Sequence, residues 1–133
     1  MDTNVIAYFL LGTQPFVEEA RQFWHVVREP IAPALWEAEL ANVVWMAIRR
    51  GIVGAEEGAK RLDLAARLGV HSIQSRKLWQ GALARAVESG VAMYDTLFVE
   101  LAGRERLPLA TFDTQMIEAF PDIAKRPGVL LRK

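Results

Sequence analysis

The stretch LPLATFDTQMIEAF (residues 107–120) passes from a short apolar run, through an acid, into a helix. Leu107, Leu109 and Ala110 predict a strand over 107–111, Asp113 follows it, and Thr114 opens a short helix over 114–120. The same change of period recurs upstream. Ile31-Ala32-Pro33 is a short extended run, followed by a helix over 35–50 that Gly51 ends. Residues 70–73 predict another strand, and a helix capped near Ser75 runs on to Ser89-Gly90. Short apolar strands separated by amphipathic helices predict an α/β fold with a parallel sheet covered on both faces.

The remaining punctuation fits that reading. Thr13-Gln14-Pro15 opens a helix over 16–28 whose inner face is Val17, Ala20, Phe23, Trp24 and Val27, and Glu29-Pro30 ends it. Gly54 precedes a helix to about residue 68, which Gly69 stops. Residues 94–104 are expected to be helical, and 128–131 to form a final strand. Asp2 precedes a helical run. The helix over 35–50 is apolar nearly all round, from Leu35 and Trp36 to Val43, Val44, Trp45 and Ile48, so it is expected to be buried on more than one side, either as a central core helix or against a homodimer or other protein partner.

With 133 residues the chain is expected to form one domain, 1–133. Sixteen basic residues balance sixteen acidic ones, and 52% of residues are apolar, which excludes a disordered tail and a strongly basic nucleic-acid coat. The absence of cysteine excludes a disulfide framework, a thiolate zinc site and a thiol nucleophile. No apolar run approaches the roughly 20 residues of a membrane span. Met-Asp-Thr-Asn carries no basic segment of the kind that opens a secretory signal, so a cytoplasmic location is expected. His25 and His71 lie in unrelated contexts, and neither a Gly-x-Gly-x-x-Gly nor a phosphate-loop pattern occurs. A receiver-type phosphoacceptor would need an adjacent acidic pair near the first strand and a lysine after the last, and has neither.

The acids carry the functional signal. Asp2, Asp95 and Asp113 sit inside apolar surroundings, and Glu39 lies in the apolar helix on one stripe with Leu35, Val43 and Met46, with Asn42 on the neighbouring surface. Glu37 lies on an equally apolar stripe with Ala41, Val44 and Ile48, and periodicity does not choose between the two glutamates. A carboxylate in such a setting suffers desolvation unless a cation meets it, and no basic residue adjoins any of the four. A divalent cation would supply the charge, and Mg²⁺ and Mn²⁺ prefer oxygen ligands. Asp113 just beyond a strand, with Asp95 and Glu39 at helix starts, fits a site at the carboxyl ends of the strands. Taken singly, Asp95 and Asp113 also read as N-caps.

The segments Asp2-Thr3-Asn4-Val5-Ile6, Pro33-Ala34-Leu35 leading to Glu39 and Asn42, Tyr94-Asp95-Thr96-Leu97-Phe98-Val99-Glu100-Leu101-Ala102, and Leu109-Ala110-Thr111-Phe112-Asp113 resemble PIN-domain nucleases, most of all the VapC toxins of toxin–antitoxin pairs. The resemblance covers essentially the whole chain, and it selects Glu39 over Glu37. It implies a three-layer α/β/α fold with a central parallel sheet. It also implies a Mg²⁺- or Mn²⁺-dependent endoribonuclease, leaving 5′-phosphate and 3′-hydroxyl ends, that forms a homodimer and is inhibited by a cognate antitoxin. Its metal-site acids map onto Asp2, Glu39, Asp95 and Asp113, with Asn4, Asn42 and Thr111 in supporting positions. Family members carry several apolar residues before the first aspartate, as a central strand; here only Met1 precedes Asp2, so either the protein starts upstream of Met1 or the first strand is expected to be short or missing. A catalytically silent PIN-like module that binds a protein partner is the alternative. Candidate RNA contacts are Arg49-Arg50, Lys60-Arg61, Arg76-Lys77, Arg104 with Arg106, and Lys125-Arg126.

Overall fold

In a computed structural model, which describes residues 1–131, helices alternate with short strands. The order is α1 (Thr3–Leu11), α2 (Val17–Val26), β1 (Ile31–Pro33), α3 (Leu35–Arg49), α4 (Ala55–Ala66), β2 (His71–Ile73), a 3-10 turn (Ser75–Leu78) running into α5 (Trp79–Ser89), α6 (Met93–Glu105), β3 (Leu109–Ala110), α7 (Thr114–Ala119), β4 (Ala124–Lys125) and α8 (Pro127–Leu130). Gly12 and Gly90 close α1 and α5 in the left-handed region, at φ 65° and 76°, where a Cβ is strained.

The strands pair in parallel, β1 with β2 (Ile31 opposite His71) and β3 with β4 (Leu109 opposite Ala124). The two pairs do not bond to each other directly. Met1 and Asp2 lie between them: the Met1 amino group donates to the Ile31 carbonyl at 2.8 Å, and the Asp2 N–H donates to the Ala110 carbonyl at 2.9 Å. Asp2 is extended, with φ −77° and ψ 151°. The expected parallel pairing is therefore present, as two two-stranded ladders with Met1 and Asp2 between them.

Helices cover both faces. Val5, Ala20 and Phe23 of α1 and α2 pack with Ala110 and Phe112, while Leu78, Ala82, Leu97 and Leu101 pack around Ile31 and Ile73. A larger cluster of Ile6, Leu40, Val44, Phe98, Val99, Leu109 and Met116 joins them. Each large side chain removed from water there contributes roughly 1.5–3 kcal/mol before entropy is counted. Of the apolar ring on α3, Trp36, Leu40, Val44 and Ala47 are buried, but Trp45 remains 51% exposed.

Two expectations need correction. Residues 128–131 are not a strand: Pro127–Leu130 is a helical turn, and β4 lies just upstream. A four-residue apolar run has no readable period. Pro127 at the first helical position loses no hydrogen bond there, and the Gly128 N–H goes to Glu19 Oε2 at 2.9 Å instead of a ladder. Asp95 is not an N-cap, because Ala92 holds that position and Asp95 sits inside the first turn of α6.

The α5–α6 contact closes around one ionic knot. Glu100 accepts from Arg85 Nε at 2.9 Å and Arg104 Nε at 2.6 Å, with its side chain only 12% exposed. It fits because Gly81 faces it; a Cβ at Gly81 would overlap the Glu100 carboxylate. Gly81→Ala is expected to push Glu100 off both arginines and to cost about 1–2 kcal/mol, read as a fall in melting temperature with native far-UV circular dichroism retained.

Candidate functional site

Asp2 emerges from the sheet remnant 7% exposed, and its carboxylate is met by two neighbours. Oδ2 accepts from Thr111 Oγ1 at 2.8 Å and from Asn4 Nδ2 at 3.3 Å. Thr111 is wholly buried. Its hydroxyl also accepts from the Asp113 N–H at 3.0 Å and from Asn4 Nδ2 at 3.3 Å, while Asn4 Oδ1 accepts from the Phe112 N–H at 3.2 Å. The start of α1 and the loop after β3 are thus tied together around one carboxylate. Asn4 and Thr111 are both brought to Asp2.

The loop carries the second acid. Asp113 Oδ1 accepts from the Gln115 and Met116 N–H groups at 2.9 and 3.3 Å, so Asp113 is the N-cap of α7. The cap uses one oxygen and leaves the other without a partner among the described residues. The N-cap reading of Asp113 therefore holds.

The two glutamates of α3 separate cleanly. Residues two apart differ by about 200° around a helix. Glu39 Oε1 accepts from Thr3 Oγ1 at 2.7 Å, beside Asp2. Glu37 Oε1 accepts from Ser72 Oγ at 2.9 Å, and Ser72 in turn accepts from Trp36 Nε1, so Glu37 belongs to the β2 side. Thr3 was not singled out in the sequence: a hydroxyl at a helix start carries no sign of a partner 36 positions away. Asn42 is exposed on α3 and makes no hydrogen bond among the described residues. It does not join the cluster.

The acids act on one another. Burial raises the Asp2 pKa, against the Thr111 hydrogen bond, and Glu39 raises it further. Burial likewise raises Glu39, against Thr3, with Asp95 adding to the effect. Asp95 is pushed up to about 6, first by burial and then by Asp2 and Asp113. Charges couple this way only at short range, so Asp2, Glu39, Asp95 and Asp113 form one group drawn from four separate segments. No lysine or arginine pairs with any of them among the described residues.

As the side chains stand, no three described Asp, Glu or His residues enclose a common ion position. Hydrogen bonds from Thr111, Thr3 and the start of α7 hold three of the four carboxylates to their own supports. The donor set is all oxygen, and its one cationic neighbour is the Met1 amino group beside Asp2, whose pKa burial lowers to about 6; oxygen donors of this kind suit a hard divalent cation.

The PIN domain family matches residues 1–123. The chain belongs to the PIN domain family. One relative of this PIN domain is Ribonuclease VapC3 of Pyrobaculum aerophilum, 34% identical over 87 residues, which is 62% of this chain. The match spans 65% of that relative's length.

Acids crowded without a cation predict a distinct pH response. A carboxyl raised in the folded state stabilises the fold while protonated, and that contribution is lost as pH rises through the folded pKa. For Asp95 the window runs from 3.8 to about 6. Chelator-treated protein is expected to melt higher at pH 5 than at pH 7.5. The Asp95 contribution is about 1 kcal/mol once solvent screening of a half-exposed group is allowed for. Asp95→Asn should flatten that part of the profile; an unchanged profile in the variant would remove Asp95 from the cluster.

Proposed function

We propose that this PIN domain is a metal-dependent endoribonuclease of the VapC toxin type, hydrolysing RNA to 5′-phosphate and 3′-hydroxyl ends. The observation that carries the reading is the electrostatic coupling of carboxylates from four stretches of sequence, with no lysine or arginine paired to them among the described residues. Asp2, Glu39, Asp95 and Asp113 would hold Mg²⁺ or Mn²⁺. Such a cation would supply Lewis-acid chemistry, activating water and neutralising charge on the phosphate.

The chain's own residues divide the remaining work. Thr111 and Asn4 fix the Asp2 carboxylate, Thr3 fixes Glu39, and the first turn of α7 fixes Asp113. Asp95, which accepts no hydrogen bond among the described residues, is the carboxylate free to take a proton from the attacking water. Substrate contacts come from basic side chains outside this acidic group. Arg49 lies over Trp45 at 4.9 Å and Arg76 over Trp79 at 5.9 Å, so each is presented on an aromatic surface. A formally neutral chain gives little long-range attraction to RNA, and target choice rests on the shape of unpaired loops.

The reading extends to partners. Trp45 and Val43 on α3, and Trp79, Leu83 and Val87 at four-residue spacing on α5, are exposed apolar residues. They supply surface for a homodimer, and a cognate antitoxin is the inhibitory partner of this class. No helix among the described residues is long and apolar enough to cross a membrane. We place the enzyme in the cytoplasm as a single domain.

Two experiments test this. Chelator-treated protein is expected to leave single-stranded RNA intact and to cleave it when Mn²⁺ is added. Asp95→Asn should lower cleavage by at least about 100-fold with the fold retained. Cleavage by Asp95→Asn at the parent rate would reject its role, and no cleavage with any divalent ion would leave the silent protein-binding module as the reading. Separately, Trp45→Glu is expected to convert a dimer to a monomer in light scattering; a monomeric parent protein would remove the homodimer.

A further inference from the structure

Asn4, which holds both Asp2 and the Phe112 N–H, and Tyr8 stand four residues apart on one face of α1, with about 5–6 Å between their Cβ atoms. The Tyr8 ring enters a compact aromatic group. It lies nearly parallel to Phe16, with centroids 4.8 Å apart and planes at 16°, and is tilted against Phe112 at 5.2 Å. Phe16 and Phe112 meet at 5.1 Å. Phe112 directly precedes Asp113, so this group adjoins the acids. Arg126 covers the two phenylalanines: its guanidinium sits over Phe112 at 4.9 Å and over Phe16 at 5.5 Å. Glu19 grips that guanidinium with both oxygens, at 2.6 and 3.1 Å, and also accepts from the Gly128 N–H. The group is thus assembled from α1, α2, the β3–α7 loop and the β4–α8 junction, and an ion pair fixes it from behind. Phe112 is buried, while Tyr8 and Phe16 are half-buried. Tyr8 is the single phenol of the three. Its hydroxyl is not buried and makes no hydrogen bond among the described residues.

We propose that Tyr8 is a substrate contact, on which stacks the nucleobase of the nucleotide next to the phosphate held at the acids. The inference rests on the nuclease reading above and adds to it the residue that grips a base. Three features specify that ligand. An aromatic ring beside a phosphate site offers a base a stacking partner whatever its identity. The Arg126 charge is already met by Glu19, so the group presents no free cation to a phosphate and favours a neutral planar ligand. One helical turn separates Tyr8 from Asn4, which is the reach of a single nucleotide. Packing alone needs no hydroxyl, as Phe16 and Phe112 show; the Tyr8 hydroxyl adds a polar group in water where the polar edge of a base would lie. Because Glu19 and Arg126 order the rings in advance, little freedom is lost when the base docks. A base can stack there only after leaving its neighbours, so the contact selects unpaired RNA.

The test uses the 133-residue chain with Mn²⁺ and a short single-stranded RNA, together with two copies of that RNA that are abasic on one or the other side of the bond cut. In the parent protein, one abasic copy is expected to lose about tenfold in kcat/KM. Tyr8→Leu should lose the same on the intact RNA and nothing further on that copy, while Tyr8→Phe keeps the preference for the base. Losses that multiply overturn the proposal and leave Tyr8 a packing residue. Equal cleavage of all three RNAs by the parent also overturns it. So does a loss of the preference in Tyr94→Leu, at the exposed aromatic residue next to Asp95, with Tyr8→Leu unaffected. No cleavage of the intact RNA by the parent fails the nuclease reading itself, and this proposal with it. If Tyr8→Leu does not fold, RNA carrying an iodinated uracil on that side of the bond is irradiated on the parent protein with Ca²⁺ in place of Mn²⁺. A cross-link at Tyr8 supports the stack, and its absence there overturns it.

Discussion

Buried carboxylates that repel one another constrain the rest of this molecule. In Asp2, Glu39 and Asp95, burial and a neighbouring carboxylate raise the pKa. A cluster of that kind opposes folding unless it is held from outside. The holding is done by short, specific hydrogen bonds. Thr111, with no exposed surface, donates to Asp2; Thr3 donates to Glu39; the free N–H groups of α7 bind Asp113. Thr111 and Thr3 each lie on a different element from the acid they hold. The polar ties that position the acids thus also join α1, α3 and the β3–α7 loop.

The sheet shows the same economy. Among the described residues, two pairs of parallel strands are linked through Met1 and Asp2, by one hydrogen bond to each side. What keeps the halves together is the helical cover: α1 and α2 on one face, α5 and α6 on the other, with Phe98 and Val99 of α6 in the shared core. The link therefore matters less for holding the fold than for placing Asp2. Its N–H is anchored to β3 while its carboxylate is anchored to Thr111, one residue past the strand, so backbone and side chain are set by the same segment.

Sequence reasoning succeeded where the signal was local. The strand Ile31–Pro33 and the helix start at Leu35 were visible because proline and a change of period mark them within a few residues. It failed at residues 128–131, where four apolar residues carry no period and Pro127 was needed to choose a helical turn. Asp95 read as a cap because helix starts are uncertain by a few residues, and the true cap lies three positions earlier. Asn42 matched a pattern yet stands exposed beside the cluster, whereas Thr3 matched none and touches Glu39.

The chain by itself determined its α/β alternation, its PIN-domain membership and the identity of its acids, because residue type and spacing are properties of the string. Only the tertiary structure decided which glutamate turns inward, since Glu37 and Glu39 sit on equally apolar stripes until Ser72 and Thr3 arrive from elsewhere to claim them. It also decided how the acids are supported and where the half-sheets part. Hydrogen bonds between residues 36 and 109 positions apart depend on the packing of helices against strands, and no local pattern records them.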